Sequence, residues 1–162
     1  MKTLTPVPAQ YRQGDCMLER VETLPADLKK MPRVGGKLIL AAGLSGRHNH
    51  ILEHPKSMLL QDGDNNQFVA VAGKPITGKF PVLRREKGVL LAVGTRRIKF
   101  AEADVEVSGP KTALVGVVDG SFDLLTHDGP TPDHDAQAVR AGYYRRLPQR
   151  ELRQGDIRTV TD

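Results

Sequence analysis

The apolar runs of this chain are short, and turn-forming residues interrupt them again and again. No run shows the sustained 3.6-residue period of an amphipathic helix, so a helical bundle is excluded. Segments suited to strands fall at residues 16–21, 37–42, 48–52, 57–61, 67–72, 80–84, 89–93, 97–100, 105–108, 113–118, 122–125, 138–145 and 157–160. Between them stand Gly35-Gly36, Asp62-Gly63, Gly73-Lys74-Pro75, Lys87-Gly88, Gly109-Pro110, Asp119-Gly120 and Asp128-Gly129-Pro130. Many short strands separated by such punctuation predict an all-β fold, a mostly antiparallel barrel or sandwich. Two short helices are the most this pattern admits, over residues 25–31 (Pro25 in the first turn, Pro32 as the stop) and 149–154. The length of 162 residues fits one β domain over 1–162. Residues 62–120 read as an inserted block of hairpins within it.

Aromatic residues are 4% of the chain and Trp is absent, so aliphatic side chains must fill the core. So few aromatics also weaken any reading based on base stacking. The lone Cys16 excludes an internal disulfide and, in Cys16-Met17-Leu18, reads as a small core residue. No apolar window reaches the ~18 residues a membrane helix needs, and no secretory leader is visible after Met1-Lys2. The expectation is a cytoplasmic protein, or a virion component if phage-encoded, with no membrane role.

Four of the five histidines form two groups. His48 and His50 lie in Gly46-Arg47-His48-Asn49-His50, and His127 and His134 bracket the acidic loop at residues 128–133. On a strand, positions i and i+2 share a face, so two imidazoles can converge on one ion. A neighbouring strand ending at His127 could add a third ligand, and His134, Asp128 or Asp133 could complete the set. The expected site is therefore His48, His50, His127 and His134 around one divalent transition metal (Zn, Fe or Ni). The competing reading is a set of surface or hydrogen-bonded histidines near a turn. His54 keeps the parity of His48 and His50 and precedes Pro55.

Several other patterns carry less. Residues 73–79 match phosphate-loop spacing, but Phe80 and Pro81 follow where a Ser or Thr and a helix should. A hairpin turn is expected there. Residues 62–66 open like a calcium loop but lack its Gly and Glu, so an ordinary polar turn is expected. Glu102, Asp104 and Glu106 alternate as on the solvated face of a strand. Arg140, Arg145, Arg146, Arg150 and Arg153 make the C-terminal third basic, within a net charge of +5. They form a candidate nucleic-acid or partner surface.

Tyr11-Arg12-Gln13-Gly14-Asp15, Leu24-Pro25, the Gly-rich turn into His48-Asn49-His50, Thr126-His127 with His134, and Arg150-Glu151 before the terminal Asp162 together resemble a family. It comprises small bacterial and phage proteins marked by Gln-Gly-Asp, Gly-His-x-His, Thr-His and Arg-Gln-Arg-Glu-Tyr motifs, with no established function. The chain departs from it at the inserted Arg47, in the longer His127–His134 gap, and across residues 62–120. The resemblance implies that the four histidines belong together. His-x-His also resembles the first box of cupins, although Glu53 comes too early and the second box is missing.

Three functions follow as expectations. The first is a non-catalytic binding or structural module, such as a phage or assembly component, with a protein partner or a second copy of itself. The second is a cupin-like metal-dependent enzyme with Glu53 or Asp133 as base. The third is a nucleic-acid binder using the arginine-rich segment.

Overall fold

The computed structural model describes residues 10–13, 16–42, 49–128, 135–148, 150–153 and 156–159. Backbone alone is described at 41–42, 128, 148, 150–153 and 156–159. The fold is all-β, as the spacing of the apolar runs predicts.

Strands β1 (Gln10–Gln13), β2 (Cys16–Val21), β3 (Lys29–Lys30), β6 (Met58–Gln61), β7 (Gln67–Val71) and β14 (Gly142–Pro148) form an antiparallel sheet ordered β1-β2-β14-β7-β6-β3. The second sheet contains β4 (Leu38–Ala42), β5 (Asn49–Leu52), β8 (Lys74–Arg84), β9 (Val89–Val93), β10 (Arg96–Phe100), β11 (Glu106–Ser108), β12 (Val115–Asp128) and β13 (Ala136–Arg140). Five of its strands close into a barrel, β8-β9-β10-β13-β12 and back to β8. All the barrel pairings are antiparallel except β10–β13, which is parallel. The hairpin β15 (Arg150–Arg153) and β16 (Asp156–Thr159) is a separate pair.

Val89, Leu91, Ile98, Phe100, Val118, Phe122, Leu124, Ala136 and Ala138 form one buried cluster. So few strands leave room for side chains only, so a ligand has to bind outside the barrel. A second cluster, including Tyr11, Leu18, Leu38, Leu52, Val69, Leu125 and Tyr144, joins the barrel's outer wall to the six-stranded sheet. Strand β12 divides the two cores. Phe122 and Leu124 belong to the first and Leu125 to the second, as alternation along a strand demands. Cys16 is buried in the second core, as expected.

Several local expectations are corrected. Residues 25–31 form no helix but bends leading into the two-residue β3, and the 149–154 segment contains β15 instead of a helix. Too few apolar side chains lie at helical spacing there to overcome the cost of nucleating a turn. Residues 138–145 are two strands, broken at Ala141, just before Gly142 with its φ of +153°. Residues 74–79 are no hairpin turn but the first half of the 11-residue β8. Of the expected strands at 113–118 and 122–125, residues 115–118 and 122–125 belong to one 14-residue strand, β12, in spite of Asp119-Gly120. At Gly120 the glycine serves close packing: a Cβ there would lie 2.5 Å from the Arg140 guanidinium. The polar turn at Asp62 is as expected. Its carboxylate accepts bonds from the amides of Asp64 and Asn66, both 2.9 Å, and is held below the usual carboxylate range chiefly by the Asn66 side chain.

Candidate functional site

Both histidine-bearing strands lie in the eight-stranded sheet. The end of β12 passes the barrel and pairs with β5, in a register that sets Leu125 opposite Leu52 and His127 opposite His50. Leu52 and Leu125 are both in the second core. The imidazoles, two residues further along the same face, therefore continue that core towards its edge. His50 is fully buried and His127 is half-buried. Their Nε2 atoms lie 3.2 Å apart, with ring centroids at 4.1 Å and ring planes at 72°.

Gln13, on β1 of the other sheet, sets the chemistry of this pair. Its Nε2 donates to the Leu125 carbonyl at 3.0 Å, which turns its Oε1 towards His50 Nδ1 at 2.9 Å. A carbonyl oxygen only accepts, and so does an amide Oε1, so His50 Nδ1 must carry the proton. In the neutral ring Nε2 then has the lone pair, and His127 Nε2–H donates to it. A metal-ligating histidine is oriented in the same way, by a hydrogen bond at its other nitrogen.

The geometry suits an ion incompletely. Two ligands on one tetrahedral zinc, each about 2.0–2.1 Å from the metal, stand about 3.3 Å apart, close to the separation here. Convergent rings would have centroids roughly 5 Å apart, further than the 4.1 Å of this pair. Loading an ion therefore requires a rotation of one ring, the less buried His127. Among the described residues no group of three or more His, Cys, Asp or Glu forms a potential metal site. His48 and His134 lie outside the described residues, as does Asp133, and the side chain of Asp128 does too.

His54 does not join the pair. Strand β5 ends at Leu52, and His54 Nδ1 accepts from the Lys56 amide at 3.1 Å. It borders a cleft of about 230 Å³ with Glu53, Lys74 and Asp123. Asp123 is buried there and saturated. It accepts from the His54 amide at 2.9 Å, the Leu124 amide at 2.7 Å and Ser57 Oγ at 2.8 Å. Burial pushes its carboxyl above the usual range, against the pull of those donors. Glu53, expected as a base, is held by Arg96 through bonds of 2.8 and 3.0 Å, so its carboxylate is already engaged.

The arginine-rich surface is only partly where it was expected. Arg140 turns inward: its Nε and Nη2 each lie 2.8 Å from Asp104 Oδ1. Arg146 donates to Gln67 at 3.0 Å, and Arg145 is exposed. Arg150 and Arg153 lie on β15. Asp104 is likewise no solvated strand residue. Residues Glu102–Asp104 form a single 3-10 turn that buries its carboxylate, and Tyr11 donates to it at 2.7 Å. Tyr144 donates to the Arg140 carbonyl and takes a bond from Arg20 at 3.3 Å.

Sequence reasoning missed Gln13 and Tyr11 as members of buried polar clusters. The available signal was the Gln13-Gly14-Asp15 motif, whose flanking residues Gln13 and Cys16 pair across the β1–β2 hairpin. Comparison with protein-family models, curated proteins and solved structures yields no match.

Proposed function

We propose that this chain is a non-catalytic binding or structural β module whose histidine group holds a divalent transition metal of the zinc, iron or nickel class. One observation carries the reading: remote strands set His50 and His127 side by side, with the His50 Nε2 lone pair selected by Gln13. His48 stands two residues before His50 and His134 seven after His127, so both belong to the chain segments leading from the pair. Four such ligands make a closed, structural centre with no coordination position left for a substrate. The engagement of Glu53 by Arg96 favours this reading over the enzyme. A centre that pins β5 to β12 suits a component of a larger assembly, in line with the resemblance to bacterial and phage proteins.

The test is elemental analysis of protein purified without chelators. One equivalent of metal is expected in the native chain, with loss in His50→Ala and His127→Ala. A native protein that is metal-free and takes up no added zinc, iron or nickel would sink the proposal. Sedimentation at several concentrations tests the assembly role, and a strict monomer that captures no partner counts against it.

A further inference from the structure

Among the described residues a few cationic side chains are ion-paired and most are not, and three of the latter share one cleft. Arg96 is held by Glu53, Arg97 and Arg84 reach Asp135, and Arg140 binds Asp104. Arg12, Lys87 and Lys99 have no ion-pair partner among the described residues, yet they line one cleft of about 210 Å³. Gln10 and Gln137 add amide groups to its wall, and no carboxylate belongs to its lining.

The fold builds this cleft where the six-stranded sheet meets the barrel. On β1, Tyr11 points into the core, so Gln10 and Arg12 face outward together. On β10, Ile98 and Phe100 are buried and Lys99 faces out, beside Gln137 in the parallel β10–β13 register. Lys87 sits in the turn between β8 and β9, with φ +53°. Gly88 lets that turn lie on Lys99: a Cβ there would stand 2.8 Å from the Phe100 carbonyl oxygen and 3.1 Å from Lys99 Cε. Three cations are thus gathered on one rim, and none of them has an ion-pair partner among the described residues.

We propose that this cleft binds a phosphoryl group, either as free phosphate or as the terminal group of a small phosphate monoester. A doubly charged tetrahedral anion matches three cations and two amides better than a single carboxylate does. The volume is below the roughly 300–1,000 Å³ of pockets that enclose a drug-sized ligand, which fits one phosphoryl group. A nucleic-acid strand is disfavoured, because the two aromatic residues of the lining, Tyr11 and Phe100, are buried and present no face for a base to stack on. The site is separate from the histidine pair, and its fate does not depend on the metal.

The experiment is calorimetric titration of the full chain with inorganic phosphate and with glycerol phosphate, before and after the Arg12→Ala and Lys99→Gln substitutions. Lys111→Ala, away from the cleft, is the control, and circular dichroism verifies folding of each variant. Saturable binding that weakens about tenfold or more in the two cleft variants, but not in the control, is expected. The stronger of the two ligands identifies the source of the group. No saturation by about 10 mM of either ligand, or equal binding by the native chain and both folded variants, would overturn the proposal. So would a single-stranded oligonucleotide that binds more tightly than both phosphates and loses affinity in the same variants, since that would make the cleft part of a strand-tracking surface.

Discussion

Two polar clusters lie around the second core, and they are built on opposite principles. In the first, Asp104 is a buried anion answered on the spot by Arg140 at 2.8 Å and by the Tyr11 hydroxyl at 2.7 Å. Tyr11 and Tyr144 pack edge to face at 5.8 Å, and the Arg140 guanidinium lies 4.9 Å from the Phe122 ring centre. In the second, Gln13 bridges the Leu125 carbonyl and His50 Nδ1, and the His50 and His127 Nε2 atoms meet at 3.2 Å. A buried anion with its counter-ion has one favourable arrangement, and removing either partner strands a charge. A neutral imidazole chain can give up one N–H···N bond and take an ion instead. The first cluster therefore serves stability, and the second is the one suited to an exchangeable function.

Removing one side of the charged cluster should have the largest effect. Asp104→Ala leaves Arg140 without its counter-ion and Tyr11 without an acceptor, and is expected to cost about 3 kcal/mol. Chemical denaturation measures this, and metal content should stay as in the native chain. A parallel loss of metal would erase the distinction between the clusters. Gln13→Ala should do the reverse. With the orientation of His50 relaxed, metal affinity falls about 10- to 100-fold, while stability falls by only about 1–2 kcal/mol. Competition with a chromogenic chelator reads the affinity, and an unchanged value would refute the tautomer argument.

Alkaline titration sharpens the contrast further. Burial pushes the Tyr144 hydroxyl up to about 12, and burial together with the bond to Asp104 raises Tyr11 as well. Above the ordinary phenol value of 10.0 the unfolded chain releases protons that the folded chain keeps. Stability contributed by these groups is present below pH 10 and declines as pH climbs towards about 12. Tyr144→Phe should flatten that decline in a series of melts. The smallest effect is expected at Asp123, whose raised carboxyl favours the folded state more strongly as pH falls. Asp123→Asn keeps an acceptor for the two amides, and should change stability at pH 7 by less than about 1 kcal/mol. A larger loss would show that the charge itself is needed there.

Much of the β architecture was legible because alternation and turn chemistry are local. Strands β2 and β9 match their expected bounds, β4, β6, β7 and β10 differ from theirs by one residue, and β5 matches over its described residues. The misreadings share one cause. Asp119-Gly120 and Gly73-Lys74-Pro75 look like turns, but at Gly120 the glycine makes room for Arg140, and at Gly73 a Cβ would lie 2.6 Å from the Phe122 amide nitrogen. A residue that gives way to a distant neighbour cannot be told from one that bends the chain until that neighbour is known. The same holds for Arg140 and Asp104, read as solvated charges and found bonded across 36 positions of sequence.

Composition, strand period and the scarcity of histidine determined by themselves that the chain is all-β, has a largely aliphatic core with a few buried aromatics, and carries His50 and His127 as site candidates. They act through neighbours a few residues away, and such neighbours are written in order along the chain. Only the tertiary structure decided that β12 divides two cores, that Gln13 selects the His50 tautomer, and that Arg12, Lys87 and Lys99 meet in one cleft. Each of these depends on register between strands remote in sequence. Register is set by the collective burial of both cores, which no local segment encodes.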